Sequence, residues 1–329
     1  MKHIFIKIVF FIAYHLGVIR LFYYLTRKRQ RVITYHNIIP DSYFNNSIEL
    51  GVSCSSSVFE FQLNEIAKKF KFTTQLNKSA TCVITFDDGY KNNYNVALPI
   101  LDLYDVKAIF FITYDLVIKG KTLWVDLIMM WCSYVPVGRH IVAGKEMRIS
   151  DKNRMDAYQN ILSRIYDDYL LKENVLSSIN KVFSVNQLVK NEQYEKLRFY
   201  PLTLVNIEEM KANNHLIACH SISHDILSKL SNKELEDEIL SAEKYLGNLY
   251  NSDYFAYPFG GVNQVSETVL KSYLASKFKK CFVNYWNFKN NNRDESMQRM
   301  SLPNTTNKYV IHAYLSGFYF FLKKRMIHE

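Results

Sequence analysis

Apolar and polar positions follow a regular order along most of this chain. Residues 31–36 (RVITYH) are short and β-branched, closed by Asn37 and Pro40, which predicts a strand. Phe59, Leu63, Ile66 and Phe70 recur at three- and four-residue steps, so 58–70 reads as a helix. Residues 80–86 (ATCVITF) are a continuous apolar run of the kind a parallel, doubly covered strand requires, and Asp87, Asp88 and Gly89 end it. Ala97, Ile100, Leu101 and Tyr104 mark a further helix, and 107–112 (KAIFFI) another buried strand. Strand, helix, strand at this spacing is a βαβ unit.

The rhythm breaks between about 120 and 200. Met155, Tyr158, Leu162, Ile165 and Tyr169 predict an amphipathic helix over 151–171, and helical pattern continues to about 197. This stretch holds no concentrated polar constellation and is read as a helical insertion. Alternation then resumes. A short helix is predicted over 206–213 with Asn206 as N-cap, and a strand over 216–220 (LIACH). Ser231 and Glu234 form a capping box for a helix using Leu235, Ile239, Ala242 and Leu246. A strand ending in a turn is expected at 254–261, a helix at 266–277, a strand at 280–285 and a last helix at 308–325, rich in Phe and Tyr and carrying Lys323, Lys324 and Arg325. There is no internal repeat.

The fold class predicted by this order is α/β: parallel strands and covering helices, with a helical insertion at about 120–200 and a separate N-terminal segment, 1–30. A length of 329 residues suits one barrel-sized domain with these additions, residues 31–329. Hydrophobic residues at 48% rule out wholesale disorder. In the N-terminal segment, Lys7 and Arg20 bracket a largely apolar stretch of 12 residues, too short to span a bilayer. No small-residue cleavage site follows, so a secretory signal is not expected. Residues 1–31 carry Lys2, Lys7, Arg20, Arg27, Lys28, Arg29 and Arg31 and no acid. That pattern suits an amphipathic helix peripheral on the membrane interface, or equally a helix packed on the domain's own surface.

The net charge of +10 suggests nucleic acid, an anionic membrane or an acidic substrate, but no nucleic-acid recognition motif accompanies it. Nucleic acid is therefore not an expected partner. The five cysteines, Cys54, Cys82, Cys132, Cys219 and Cys281, are odd in number and lack a CxxC. They read as buried free thiols, which favours a reducing, cytoplasmic location; the N-terminal segment adds the alternative of a peripheral position on the inner face of the plasma membrane.

Three polar clusters fall at the ends of predicted strands. Asp87 and Asp88 follow the 80–86 strand, and adjacent buried carboxylates are costly unless paired or bound to a cation. His220 and His224, four apart, follow the 216–220 strand and can converge on one metal. Tyr257-Pro258-Phe259-Gly260 is a turn that can wall a cleft. One carboxylate with two imidazoles is a facial metal set with open positions. Strand C-termini are where α/β barrels place active sites.

With these motifs in this order, the chain resembles the polysaccharide deacetylase family, also called the NodB-homology or carbohydrate esterase family 4 group. TFDDGY matches its first motif, HSISH its second and YPFG its third-motif turn, while the early YHNI resembles its first strand. The match covers roughly 30–115 and 200–305. The resemblance implies a distorted (β/α) barrel of about seven parallel strands. It implies hydrolysis of N-acetyl groups on the amino sugars of a cell-envelope glycan or its lipid-linked precursor. Asp88, His220 and His224 then correspond to ligands of a divalent metal, most often Zn2+, and Asp87 to the general base. Tyr257 is matched to the residue whose backbone N–H meets the oxyanion.

Two departures follow from the same comparison. The arginine that many members carry before the third-motif turn is replaced by Ala256, and Arg299 in QRMSLP is the candidate to tether the base instead. The family's late histidine, the usual general acid, has His312 as a candidate in a helical context, with His36 at the end of the first strand as a second. These departures motivate an alternative, a catalytically impaired glycan-binding protein on the same barrel. Trp124 and Trp131, seven apart, are read as helical core rather than a sugar platform.

Overall fold

The computed structural model describes residues 2–44, 52–182, 197–246, 253–265, 268–287 and 296–326. The N-terminal segment is two helices, α1 (Lys2–His15) and α2 (Val18–Leu25). They break at Gly17, whose φ of 78° is readily adopted only without a Cβ. Strand β1 (Arg31–Tyr35) follows, then a small parallel pair, β2 (Asn37–Ile39) and β3 (Ser53–Ser55), leading into α3 (Ser56–Ala67). β4 (Lys71–Phe72) and β5 (Thr81–Phe86) precede α4 (Leu98–Leu103) and β6 (Ala108–Ile112).

The insertion is not purely helical. After α5 (Tyr114–Val117) and α6 (Trp124–Tyr134) the chain forms an antiparallel hairpin, β7 (Gly138–Val142) and β8 (Lys145–Ile149). Ala143 and Gly144 turn it, both at positive φ, 47° and 74°, as a tight hairpin turn requires. The pattern in 138–149 is two short mixed runs with little continuous apolarity, which hides it beside strong helical periodicity. The helix expected over 151–171 is α7 (Arg154–Asp167), and α8 (Leu171–Val182) carries the helical pattern that follows; the pattern expected between 183 and 196 lies outside the described residues.

The second half supplies α9 (Leu204–Ala212), β9 (Leu216–Cys219), α10 (Asn232–Leu246), β10 (Tyr254–Ala256), α11 (Thr268–Lys277), β11 (Lys280–Val283), β12 (Met297–Gln298), α12 (Lys308–Ser316) and α13 (Phe318–Met326). The cap of α9 differs from expectation. Thr203 is the N-cap, its hydroxyl accepting from the Asn206 N–H, while the Asn206 side chain returns to the Thr203 N–H. Asn206 is thus the third residue of a capping box. The last helix is divided by Gly317, at φ 87°. All five cysteines are free and buried.

The main sheet runs β1-β5-β6-β9-β10-β11-β12, entirely parallel, with β4 beside β5. The Thr34 N–H donates to Met300 O (3.1 Å) and the Met300 N–H to Val32 O (2.9 Å), so the strand end at Met300 meets β1 across a single bridge. Seven strands are thereby nearly closed into a distorted barrel. Strand period two then sorts the side chains. Val32, Val83, Ile109, Phe111, Ala218, Ala256 and Phe282 form one buried cluster inside the barrel. Their neighbours Ile33, Ile84, Phe110 and Ile217 pack outward against Leu63 of α3 and Met210 of α9. Continuing the inward set along β5 leads from Val83 through Thr85 to Asp87, and along β9 from Ala218 to His220. The candidate site is thus the last inward layer of the barrel.

Candidate active site

Backbone ladders carry the site beyond the strand ends. The Asp87 N–H donates to Tyr35 O (3.0 Å), the His220 N–H to Ile112 O (2.9 Å) and the Thr113 N–H to Asp88 O (3.0 Å). Asp88 and Gly89 both adopt positive φ, 77° and 95°. This sharp turn aims the two adjacent carboxylates at different partners. Ser221 (65°) and His224 (61°) are likewise left-handed, so the loop between the histidines is held in a sparsely populated conformation. The His224 N–H donates to Ser221 Oγ (3.1 Å). Glu238 of α10 accepts from the Ile222 and Ser223 N–H groups (3.1 and 3.0 Å) and from the Ser223 hydroxyl (2.6 Å). Trp124 Nε1 donates to His224 O (3.0 Å), and the Phe259 ring lies 5.0 Å from that imidazole.

Asp88, His220 and His224 are all buried, with one ligand atom from each within 4.8 Å of the others. Nε2 of His220 and Nε2 of His224 lie 3.4 and 3.3 Å from Asp88 Oδ1. Asp88 Oδ1 makes no hydrogen bond among the described residues. An orphaned buried carboxylate oxygen between two imidazole nitrogens is the arrangement a cation resolves. Ligands about 2.1 Å from a tetrahedral zinc sit about 3.4 Å apart, so these separations fit that ion. His220 Nδ1 faces Ala256 O at 2.8 Å, which keeps its proton on that nitrogen and leaves Nε2 as a lone-pair donor. Burial lowers His224 to about 4 despite the nearby Asp88, so its imidazole is neutral, as a ligand must be. His220 is also disfavoured by burial, but the Asp87 and Asp88 carboxylates outweigh that and raise it.

Asp87 faces the other way. Arg299 NH1 donates to Oδ1 (2.6 Å) and NH2 to Oδ2 (2.8 Å), a bidentate fork in which both side chains are buried. Burial alone opposes the Asp87 charge, but Arg299, with His220 and His36 nearby, holds the carboxyl below its ordinary range. Thr34 Oγ1 adds a long contact at 3.4 Å. His36 Nε2 stands 3.8 Å from Asp87 Oδ2 and is partly exposed, so it can meet a ligand at the rim.

The structure therefore brings together Asp87, Asp88, His220, His224, Arg299 and His36. Two expected positions fall elsewhere. His312 Nε2 contacts Glu65 (3.0 Å) on α3, and its Nδ1 contacts the Tyr23 hydroxyl (2.7 Å) on α2. Both ring nitrogens are committed to that helix junction, which removes His312 from the acid role. The Tyr257 N–H donates to Phe282 O (3.0 Å), continuing the β10–β11 ladder, and is unavailable to an oxyanion. On the same turn Phe259, at φ 61°, presents a backbone N–H that meets no backbone carbonyl among the described residues. Sequence reasoning missed Glu238 and the Trp124–His224 contact, since nothing local marks a partner carried on a distant helix. Trp124 and Trp131 are both buried.

A nearly closed parallel barrel with a carboxylate–dihistidine set and a clamped second carboxylate at its strand ends defines the class: a barrel hydrolase. The polysaccharide deacetylase family model matches residues 75–168 and 169–275, and the chain belongs to that family. His36 and Arg299 lie outside the matched stretch. Among solved structures, the chain is similar to the deacetylase PplD of Streptococcus pyogenes, solved with acetate, at 17% identity and TM-score 0.51, over 84% of this chain and 92% of that one. It is also similar to IcaB from Ammonifex degensii at 14% identity and TM-score 0.53, over 88% and 97%. A polysaccharide deacetylase from Bacillus cereus aligns at 17% identity and TM-score 0.52, over 87% and 68%. At these identities the likeness is one of fold. No curated protein matches the sequence.

Proposed function

We propose that this chain is a metal-dependent deacetylase that hydrolyses the N-acetyl amide on amino sugars of a cell-envelope glycan, releasing acetate and a free amine. The observation that carries the reading is the division of labour between two adjacent buried carboxylates. Asp88 converges with two imidazoles as one set of metal donors, and Asp87 is forked by Arg299. Asp88, His220 and His224 would hold the ion, for which Zn2+ is the first candidate given one oxygen and two nitrogen donors. When bound, such an ion polarises a carbonyl and acidifies water.

The remaining chemistry belongs to the chain. Asp87, kept ionised by Arg299, takes the proton of the attacking water. Arg299 also fixes the orientation of that carboxylate, the role expected of the arginine missing at Ala256. This tether supports an active enzyme over a degenerate binding barrel. The Phe259 N–H is the donor available to the oxyanion on the third-motif turn. His36, beside Asp87, gives the leaving amine its proton. Proton entry and exit then occur on the same rim.

Elemental analysis of purified protein tests the foundation. We expect one divalent ion per chain, lost in Asp88→Ala and in His220→Ala. Acetate release from an N-acetylated amino-sugar oligomer should stop in Asp87→Asn while the ion is retained. Wild-type protein that takes up no zinc overturns the reading.

A further inference from the structure

Among the described residues, eight of the sixteen exposed large apolar side chains lie between Phe5 and Leu25. Phe5 and Leu16 are 67% and 74% exposed, and Ile8, Ile12, Leu21 and Leu25 are about half exposed. This is not a failure of packing. The opposite sides of the same helices are seated, with Phe10, Ala13, Ile19 and Phe22 clustered against Val310 and Ala313 of α12 and Phe318 of α13. α1 and α2 therefore present one buried face and one apolar face open to solvent. Exposed apolar side chains gathered this densely in one segment mark an interaction surface.

Charge identifies the partner. A cavity of about 500 Å³ opens at the α1–α2 elbow, lined by His15, Arg20, Arg27 and Lys69 together with Tyr14 and Tyr23. No carboxylate lines it. Among the described residues, Arg20, Arg27 and Lys69 form no salt bridge. Arg27 instead stacks on Tyr24, and Lys69 lies 5.7 Å over the Tyr23 ring. Unpaired cations gathered in a cavity, flanked by exposed apolar side chains, complement a phosphate headgroup and its acyl chains together. No single helix among the described residues is long and apolar enough to cross a bilayer; Phe5–His15 and Val18–Leu25 reach that length and composition only together, bent by 77° and with Phe10, Ala13, Ile19 and Phe22 seated on α12 and α13. That bend suits a segment lying in the interface.

We infer that α1 and α2 are a docking face for an anionic phospholipid bilayer, with a lipid phosphate seated in the cationic elbow. This inference goes beyond catalysis and does not depend on it. Phe70 and Ala80, which line the cavity, stand at the entry end of β5, whereas Asp87 stands at its exit. The six residues of β5 separate those ends by about 20 Å, so docking leaves the catalytic rim open to glycan.

Sedimentation of the full chain with vesicles provides the test. The protein should pellet with phosphatidylcholine vesicles containing phosphatidylglycerol and remain in solution with phosphatidylcholine alone. Arg20→Gln with Arg27→Gln should weaken binding about fivefold for each cation removed, and Arg20→Lys with Arg27→Lys should restore most of it. Leu16→Glu with Leu21→Glu should abolish binding while the circular dichroism spectrum and zinc uptake stay unchanged. Equal binding to neutral vesicles, or binding unaffected by the arginine pair, overturns the inference. So does a dimer in solution that Leu16→Glu dissociates, because a second copy would then own the face.

Discussion

Arg299 and Asp87 are 212 residues apart in the chain and meet in a buried fork, NH1 to Oδ1 at 2.6 Å and NH2 to Oδ2 at 2.8 Å. Lysine cannot reproduce two parallel bonds. Arg299→Lys should therefore lower kcat for acetate release by about 10²-fold with little change in KM, within the range for a mispositioned base. Arg299→Ala leaves a buried carboxylate unpaired and should cost about 3–5 kcal/mol of stability, read as a drop in denaturant midpoint.

The same pair sets a pH dependence. Folding depresses the Asp87 carboxyl, so its stabilising contribution is complete above the unfolded value near 3.9 and fades as pH falls through the lower folded value. In Arg299→Gln the burial that opposes charge is no longer offset by the guanidinium. The acidic limb of the rate profile should then move to higher pH. A limb that stays where the wild type has it would show that Asp87 is not the titrating base.

The two candidate acids separate by mutation. His36→Asn should reduce acetate release by about 10²–10⁴-fold with near-native stability, as expected when a general acid is removed from the rim. His312→Asn should do the reverse. It strips the buried Glu65 carboxylate of its imidazole and the Tyr23 hydroxyl of its partner, so the melting temperature falls while the rate of the folded fraction holds. Thermal melts and acetate assays on both variants decide the assignment.

Metal removal should be visible without any substrate. Asp88 Oδ1 has no hydrogen-bond partner among the described residues and faces two imidazole nitrogens at 3.4 and 3.3 Å, so a bound cation should stabilise the folded state and chelation should destabilise it. Added zinc should raise the melting temperature with zinc concentration, by mass action on the folded state. Asp88→Asn should abolish that dependence, and an unchanged zinc response in that variant would place the ion elsewhere.

The third-motif turn tolerates no side chain at Gly260. Its φ is 61°, and a Cβ there would lie 2.7 Å from the Asn284 backbone nitrogen. Gly260→Ala should cost about 2 kcal/mol or more. It should also lower activity by displacing the neighbouring Phe259 amide, which a backbone amide spectrum would report.

The alternating strands and helices of this chain are legible because most barrel strands are apolar on both faces. β5 and β6 are read as buried strands from sequence alone, and the structure places them side by side. The candidate metal ligands are legible for a related reason: Asp88, His220 and His224 sit in short local motifs directly after such strands. Elements that lack a strong period are not. The β7–β8 hairpin has mixed faces on a largely exposed surface, and the Gly17 and Gly317 breaks leave apolar periodicity almost intact on either side. The sequence by itself determined six of the seven barrel strands, which turns carry carboxylate and imidazole, and that the first 31 residues hold cations without acids. Only the tertiary structure decided which distant groups meet. The pairing of Arg299 with Asp87, the removal of His312 to a helix junction and the use of the Tyr257 amide in the sheet ladder all depend on register between strands that no local pattern encodes. Side chains far apart in the chain become neighbours only when the barrel closes.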